Sequence, residues 1–211
     1  MQPVPHPVLF LVSAPSGAGK TTLCKQLLAT HPELRYSVSC TTRPPREGEK
    51  HGEDYFFMSR ETFESKIMAG DFLEYAEVYG NYYGTEVTFV TRAIAAGNSV
   101  LLDVDIQGAE KIRAALKRPG IDPRLQQAFC DVFVLPPSLQ DLKQRLVQRG
   151  KDRADVIARR LEQAESEIQQ ADRYQFQFQN KDLNEAVLTF QSIYRAATCR
   201  TWHSNRPELT A

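Results

Sequence analysis

One loop constrains this chain more than any other stretch: Val12-Ser13-Ala14-Pro15-Ser16-Gly17-Ala18-Gly19-Lys20-Thr21-Thr22. A short apolar run, Val8-Leu9-Phe10-Leu11-Val12, precedes it and reads as a fully buried strand. Leu23-Cys24-Lys25-Gln26-Leu27-Leu28 follows it with the apolar spacing of a helix. Strand, small-residue loop, Gly-Lys-Thr and helix together make a phosphate-binding loop. Gly17 and Gly19 can take positive φ, so the backbone can wrap a phosphate chain with its N–H groups turned inward. Lys20 would then neutralise the outer phosphates, the Thr21 hydroxyl would sit on a magnesium ion, and the helix N-terminus favours anions. Ala14 stands where the strict pattern has its first glycine, and its methyl group would resist a positive φ.

Composition bounds what such a loop can serve. The chain has 211 residues, 42% of them hydrophobic and 25% charged, enough for one good core and one domain. Formal net charge is zero, which argues against nucleic acid or a membrane surface as partner and leaves anion binding to local clusters. No apolar run reaches the roughly 18 residues of a membrane span. Met1-Gln2-Pro3-Val4-Pro5-His6-Pro7 lacks the marks of a signal peptide. Cys24, Cys40, Cys130 and Cys199 lie far apart, which suits neither a zinc site nor a disulfide framework. A cytoplasmic protein is expected.

Further along, buried strands alternate with helices. Strands are predicted over 36–42, 56–58, 99–105, 129–135 and 176–180, with two or three short ones in 72–85. Helices are predicted over 20–30, 60–69, 86–96, 106–117, 139–148, from about 153 to 172, and 183–201. Residues 43–55 and 118–124 read as loops. The pattern predicts an α/β fold, a parallel sheet covered by helices on both faces. The aromatic stretch 36–97 interrupts it as a small inserted antiparallel lobe. The expected division is a core (8–35, 98–136, 169–201), the lobe (36–97) and a helical lid (137–168). Ligands of such sheets bind at the carboxyl ends of the strands, where the loop, Asp103 and Asp105 fall.

What receives the phosphoryl group must be read from the lobe. Arg43-Pro44-Pro45-Arg46 holds two guanidiniums on a stiff loop that suits a phosphate monoester, with Tyr55, Tyr82 and Tyr83 as neutral donors. A solvated loop pairing these arginines with Glu47, Glu49 and Glu53 fits equally well. A second basic cluster, Arg145, Arg149, Arg153, Arg159 and Arg160, flanks the hinge-like Gly150-Lys151-Asp152. Arg145 and Arg149, four apart, share a helix face.

At this point the chain resembles the guanylate kinases over nearly its whole length. Besides the loop from Ala14 to Thr21, the resemblance is carried by Ser37 to Glu49, Gly52 to Phe57, Phe72 to Ala76, Gly80 to Thr85, Leu102 to Gly108, and Pro136 to Ser138. It implies ATP and GMP (or dGMP) as substrates, with Mg2+. It sets Ala14, Pro15, Ser16, Gly17, Ala18, Gly19, Lys20, Thr21, Thr22 and Asn180 around ATP, with Asn180 on the adenine side. It sets Ser39, Arg43, Arg46, Tyr55, Glu74, Tyr83, Thr85 and Asp103 around GMP. Guanine offers N1–H and its 2-amino group as adjacent donors, which suit Glu74, while Ser39 or Thr85 can donate to O6. The resemblance also brings Arg145, Arg149 and Arg160 onto the ATP phosphates, so these and Lys20 are the expected catalytic residues. Arg153 and Arg159 fit solvated helix faces.

Two other readings share these features: a guanylate-kinase-like module that binds protein without catalysis, and a kinase for a different nucleoside monophosphate. Such modules characteristically lose loop or nucleotide-contact residues, whereas Lys20, Thr21, Arg43, Arg46 and Glu74 are all present.

Overall fold

A computed structural model describes residues 5–148 and 153–201. Five parallel strands form the main sheet: β1 (Leu9–Ser13), β2 (Leu34–Tyr36), β7 (Ser99–Asp103), β8 (Phe129–Leu135) and β9 (Phe176–Gln179), in the order β2-β7-β1-β8-β9. Central β1 is buried at every position, as its unbroken apolar run requires. Its alternate residues feed two cores. Leu9 and Leu11 face one side with Val100, Leu102 and Phe133, under α3 (Val87–Ala95), α4 (Ile106–Leu116) and α5 (Pro123–Ala128). Phe10 and Val12 face the other side with Leu101, Val132 and Val134, under α1 (Lys20–Thr30) and α8 (Leu183–Thr198).

A second sheet is inserted between β2 and β7. It consists of β3 (Cys40–Thr41), β4 (Phe56–Phe57), β5 (Phe72–Val78) and β6 (Asn81–Glu86), in the order β4-β3-β6-β5, with α2 (Arg60–Ala69) packed on it. β3, β6 and β5 run antiparallel, and β4 adds to β3 in parallel. Phe63 of α2 stacks between Phe72 and Tyr82, with ring centroids 4.3 and 5.2 Å away. The hairpin joining β5 to β6 turns at Tyr79 and Gly80, both with positive φ, the backbone of a two-residue turn. Gly84 lies inside β6. A Cβ there would come within 2.8 Å of the Glu74 carbonyl, so the neighbouring strand demands glycine.

Several boundaries differ from expectation for physical reasons. The strand expected over 36–42 is two strands in different sheets, because alternation cannot reveal where a strand's partner lies. The strand expected over 99–105 ends at Asp103, and Asp105 instead caps α4, accepting from the Gly108 N–H at 2.7 Å. Part of the expected 118–124 loop begins α5, with Asp122 as cap and Pro123 in the first turn. The helix expected to reach 172 is α7 (Ala154–Ile168), followed by a 3-10 turn at Ala171–Arg173. Ahead of α7, α6 (Leu139–Gln148) opens with a cap, the Asp141 N–H donating to Ser138 Oγ at 3.0 Å.

Candidate active site

The loop between β1 and α1 has the backbone its glycines predict. Gly17 and Gly19 both sit at φ 99°, and Gly19 caps α1 without any side-chain bond to the first turn. The first N–H groups of α1 are therefore left for an anion. Ala14 is not among the positive-φ residues; it is partly buried and packs against the core on the α1 and α8 side of the sheet. The strain that alanine could have suffered there does not arise.

Two distant elements hold this loop in shape. Asn180, beyond β9 and 5% exposed, donates through Nδ2 to the Ala18 carbonyl at 2.8 Å. A Cβ on Gly19 would fall 2.2 Å from that nitrogen, a close approach only glycine allows. From the other side, α6 and α7 share a small core of Leu142, Leu146, Ile157 and Ala164. A Cβ on Gly17 would meet Leu142 Cδ1 at 2.9 Å, so the apolar face of α6 rests on the loop.

Lys20 lies at the carboxyl end of the main sheet. Its Nζ is 2.5 Å from Asp103 Oδ1 and donates to the Val104 carbonyl at 2.9 Å. Asp103, which the resemblance placed with the acceptor, thus contacts the donor-side lysine. Thr21 and Thr22 are exposed on the first turn of α1. Beside them a cavity of about 420 Å³ is lined by Gly17, Gly19, Thr22, Arg145, Asn180 and Leu183. A larger one of about 740 Å³, along α6 and α7 by Leu139, Lys143 and Val147, lacks any residue of the phosphate loop.

Of the basic cluster, Arg145 donates to the Asn180 carbonyl at 3.1 Å, and Arg160 Nη1 is 3.5 Å from Ser16 Oγ. Both flank the loop. Arg153 and Arg159 point to Asp155 at 3.6 and 3.8 Å on an exposed face. Arg149 lies outside the described residues.

In the inserted sheet, Glu74 and Thr85 are cross-strand partners, and Thr85 Oγ1 donates to Glu74 Oε1 at 3.0 Å. That proton is committed to the carboxylate, so the hydroxyl left for a base carbonyl is Ser39, half-buried and without a side-chain hydrogen bond among the described residues. Arg43, Tyr55 and Tyr83 come together: the guanidinium is 5.4 Å from the Tyr55 ring centroid, and the two tyrosine rings are 5.9 Å apart. Arg43 is held by Glu49, at 2.9 and 3.0 Å to its two oxygens, and Glu49 also accepts from the Arg46 N–H at 2.7 Å. A phosphate entering here would have to compete with Glu49 for Arg43. The exposed Arg46 side chain makes no such bond among the described residues.

Burial raises the Glu74 carboxyl above its ordinary value; the Thr85 hydroxyl and the Lys111 ammonium pull it back, and the Asp105 charge adds to the rise. A carboxyl raised in this way binds more protons folded than unfolded. Its charge therefore costs stability at neutral pH, and the cost fades as pH falls through the raised value. Glu74→Gln, which keeps an acceptor for Thr85, should accordingly raise the Tm of the nucleotide-free protein at neutral pH, by about 2–4 °C per kcal/mol regained. The gain should shrink on acidification. Thermal melts at both pH values check this, and an unchanged Tm at neutral pH would contradict the desolvation argument. Nothing in residue spacing pointed to Lys111, or to Asp105 as a neighbour of Glu74.

Comparison with known proteins identifies the family. A model of the guanylate kinase family matches residues 7–197. A guanylate kinase of Neisseria gonorrhoeae is 49% identical over 94% of this chain and 91% of its own length. One from Geobacter metallireducens is 42% identical over 92% and 91%. The crystal structure of guanylate kinase from Anaplasma phagocytophilum superposes with a TM-score of 0.67 at 31% identity, covering 95% of this chain and 90% of that one. With the phosphate loop, the inserted sheet and the flanking helix pair all inside the matched span, the chain belongs to the guanylate kinase family.

Proposed function

We propose that this protein transfers the γ-phosphoryl group of ATP to GMP, giving ADP and GDP, and acts on dGMP in the same way, as a step of purine nucleotide metabolism. A phosphate oxygen of GMP attacks the γ-phosphorus. The bond to the β–γ bridging oxygen breaks, and its electron pair leaves with ADP. The attacking oxygen is largely ionised at neutral pH, by analogy with phosphate monoesters whose second pKa is near about 6. No general base is required. Catalysis is positioning and charge neutralisation, shared by Lys20, the backbone of residues 14–19, and Arg145, Arg149 and Arg160.

The observation that carries the reading is the half-buried Glu74 on the inserted sheet, oriented by the buried Thr85, in a chain that also carries a phosphate loop. Glu74 would accept from guanine N1–H and the 2-amino group, and Ser39 would donate to O6. Arg43, Arg46, Tyr55 and Tyr83 would hold the GMP phosphate. Asp103 would stand between the two nucleotides. Asn180 would border the adenine side from its place beneath the loop. The division into core, GMP-binding lobe and lid follows the same logic.

Magnesium fits the chemistry of this site. The Thr21 hydroxyl is exposed on the first turn of α1, and magnesium needs few protein ligands when substrate phosphates supply the rest. When bound, the ion would neutralise charge on the transferring group. A cytoplasmic location suits the four free cysteines; burial pushes Cys24, Cys40 and Cys130 up to about 12, leaving them inert. Among the described residues no helix is long and apolar enough to cross a membrane.

The direct test is product analysis after incubation with ATP, GMP and magnesium. ADP and GDP in equal amounts are expected; ADP without GDP would mean hydrolysis and overturn the reading. Arg160→Ala should lower kcat on the order of 10²-fold with little change in the KM for GMP. Near-normal kcat in steady-state assays would return Arg160 to a solvated face.

A further inference from the structure

Lys111 belongs to no group in the proposed mechanism, yet it reaches from α4 to the edge strand of the inserted sheet. Its Nζ donates to the Tyr75 carbonyl at 2.6 Å and lies 5.7 Å from the centroid of the Tyr75 ring. Arg118, just past the end of α4, donates to the Phe72 carbonyl, also at 2.6 Å. β5 is thus tied to the core on either side of Glu74. The β5–β6 register shifts between Phe72 and Glu74, an irregularity that allows carbonyls three residues apart to face the same helix. Where the ladder is irregular, the two cations supply the missing constraint.

We infer that Lys111 is a positioning residue for base recognition: it ties the irregular edge of β5 to α4 and sets its positive charge beside Glu74, so that the carboxylate meets the base in place and charged. The inference rests on Glu74 being the acceptor for the two guanine donors. Glu74 is faced by the Thr85 hydroxyl from β6, by Lys111 from α4 and by Asp105 at the start of α4. Burial and Asp105 both favour its neutral form, and Lys111 is the cation that opposes them. A protonated Glu74 keeps one good acceptor oxygen and gains a donor. It can still accept from N1–H but no longer serves the 2-amino group as well. GMP then loses a bond that IMP, which has no 2-amino group, never made.

The readout is the ratio of kcat/KM for GMP to kcat/KM for IMP, followed from alkaline pH down to the acid limit of the folded enzyme. Taking the ratio cancels the ionisation of the phosphate that both substrates share. In the wild type the ratio should fall on the acid side. Lys111→Met keeps the apolar stem but removes the charge and the hydrogen bond. It should move the fall to higher pH and lower the ratio about threefold within the falling region, the scale of a partly exposed charge. Lys111→Arg should restore the wild-type curve. Glu74→Gln should give a low ratio that does not change with pH. If the acid-side fall survives in Glu74→Gln, the reading of Glu74 itself fails. If Glu74→Gln is flat while Lys111→Met follows the wild type, Glu74 stands and the inference about Lys111 is overturned. Should the methionine variant not fold, Lys111→Arg against Lys111→Gln carries the same comparison.

Discussion

Lys20→Met is expected to cut turnover by about 10²–10³-fold while leaving GMP affinity close to that of the wild type. Lys20 acts on the donor phosphates, across the reaction centre from GMP, so its loss removes stabilisation of the moving charge and not acceptor binding. A stability effect will accompany the catalytic one, because Lys20 sits 2.5 Å from Asp103 and both side chains are largely shielded. Leaving Asp103 without its partner costs about 1–3 kcal/mol. At this chain length each kcal/mol lowers Tm by about 2–4 °C. Adding Asp103→Asn should recover much of that Tm without recovering turnover, which separates the two roles. Calorimetric titration with GMP completes the test: affinity that collapses along with turnover would contradict the division into donor and acceptor sides.

Glu74→Ala should lose most of the activity toward GMP and compress the GMP/IMP preference. Guanine presents two adjacent donors to the carboxylate, and hypoxanthine presents one. A site built to hydrogen-bond its substrate rejects an analogue lacking the matching groups by as much as about 10⁴-fold, because its own buried polar groups go unpaired. Without the carboxylate, that discrimination has no source. Arg46→Ala is the control: its guanidinium meets the phosphate common to all monophosphates, so kcat/KM should fall for GMP and IMP together with their order preserved. An unchanged GMP/IMP ratio in Glu74→Ala would remove that residue from base recognition.

The parts of this site legible in the sequence were those whose chemistry sits in one contiguous run. The phosphate loop announced itself because glycines that must take positive φ, a lysine and a threonine follow one another directly. Strands β1, β7 and β8 were equally plain, since burial on both faces leaves unbroken apolar runs. What escaped were contacts closed by the fold across long stretches of chain. Asn180 reaches the Ala18 carbonyl over 162 residues, and Lys111 reaches Tyr75 over 36. Neither polar side chain stood out from its neighbours by spacing. The commitment of the Thr85 proton to Glu74 was hidden for a related reason: it depends on the β5–β6 register, and alternation alone does not determine register. Short elements were also obscure. Residues 37–39 carry the chain from one sheet to the other within a stretch that reads as continuous strand, and α5 is only six residues long.

The most direct measurement of the central claim is the acceptor preference of the wild-type enzyme. Values of kcat/KM for GMP, AMP, CMP and UMP are compared at fixed ATP and magnesium. AMP turns a bare N1 acceptor toward Glu74 where GMP turns a donor, and it has no 2-amino group. The carboxylate would face a lone pair and lose both hydrogen bonds. GMP should exceed AMP by roughly 10⁴-fold, with CMP and UMP as poor or poorer. Turnover of AMP within about tenfold of GMP, a gap of only about 1.4 kcal/mol, would contradict guanine selection by Glu74.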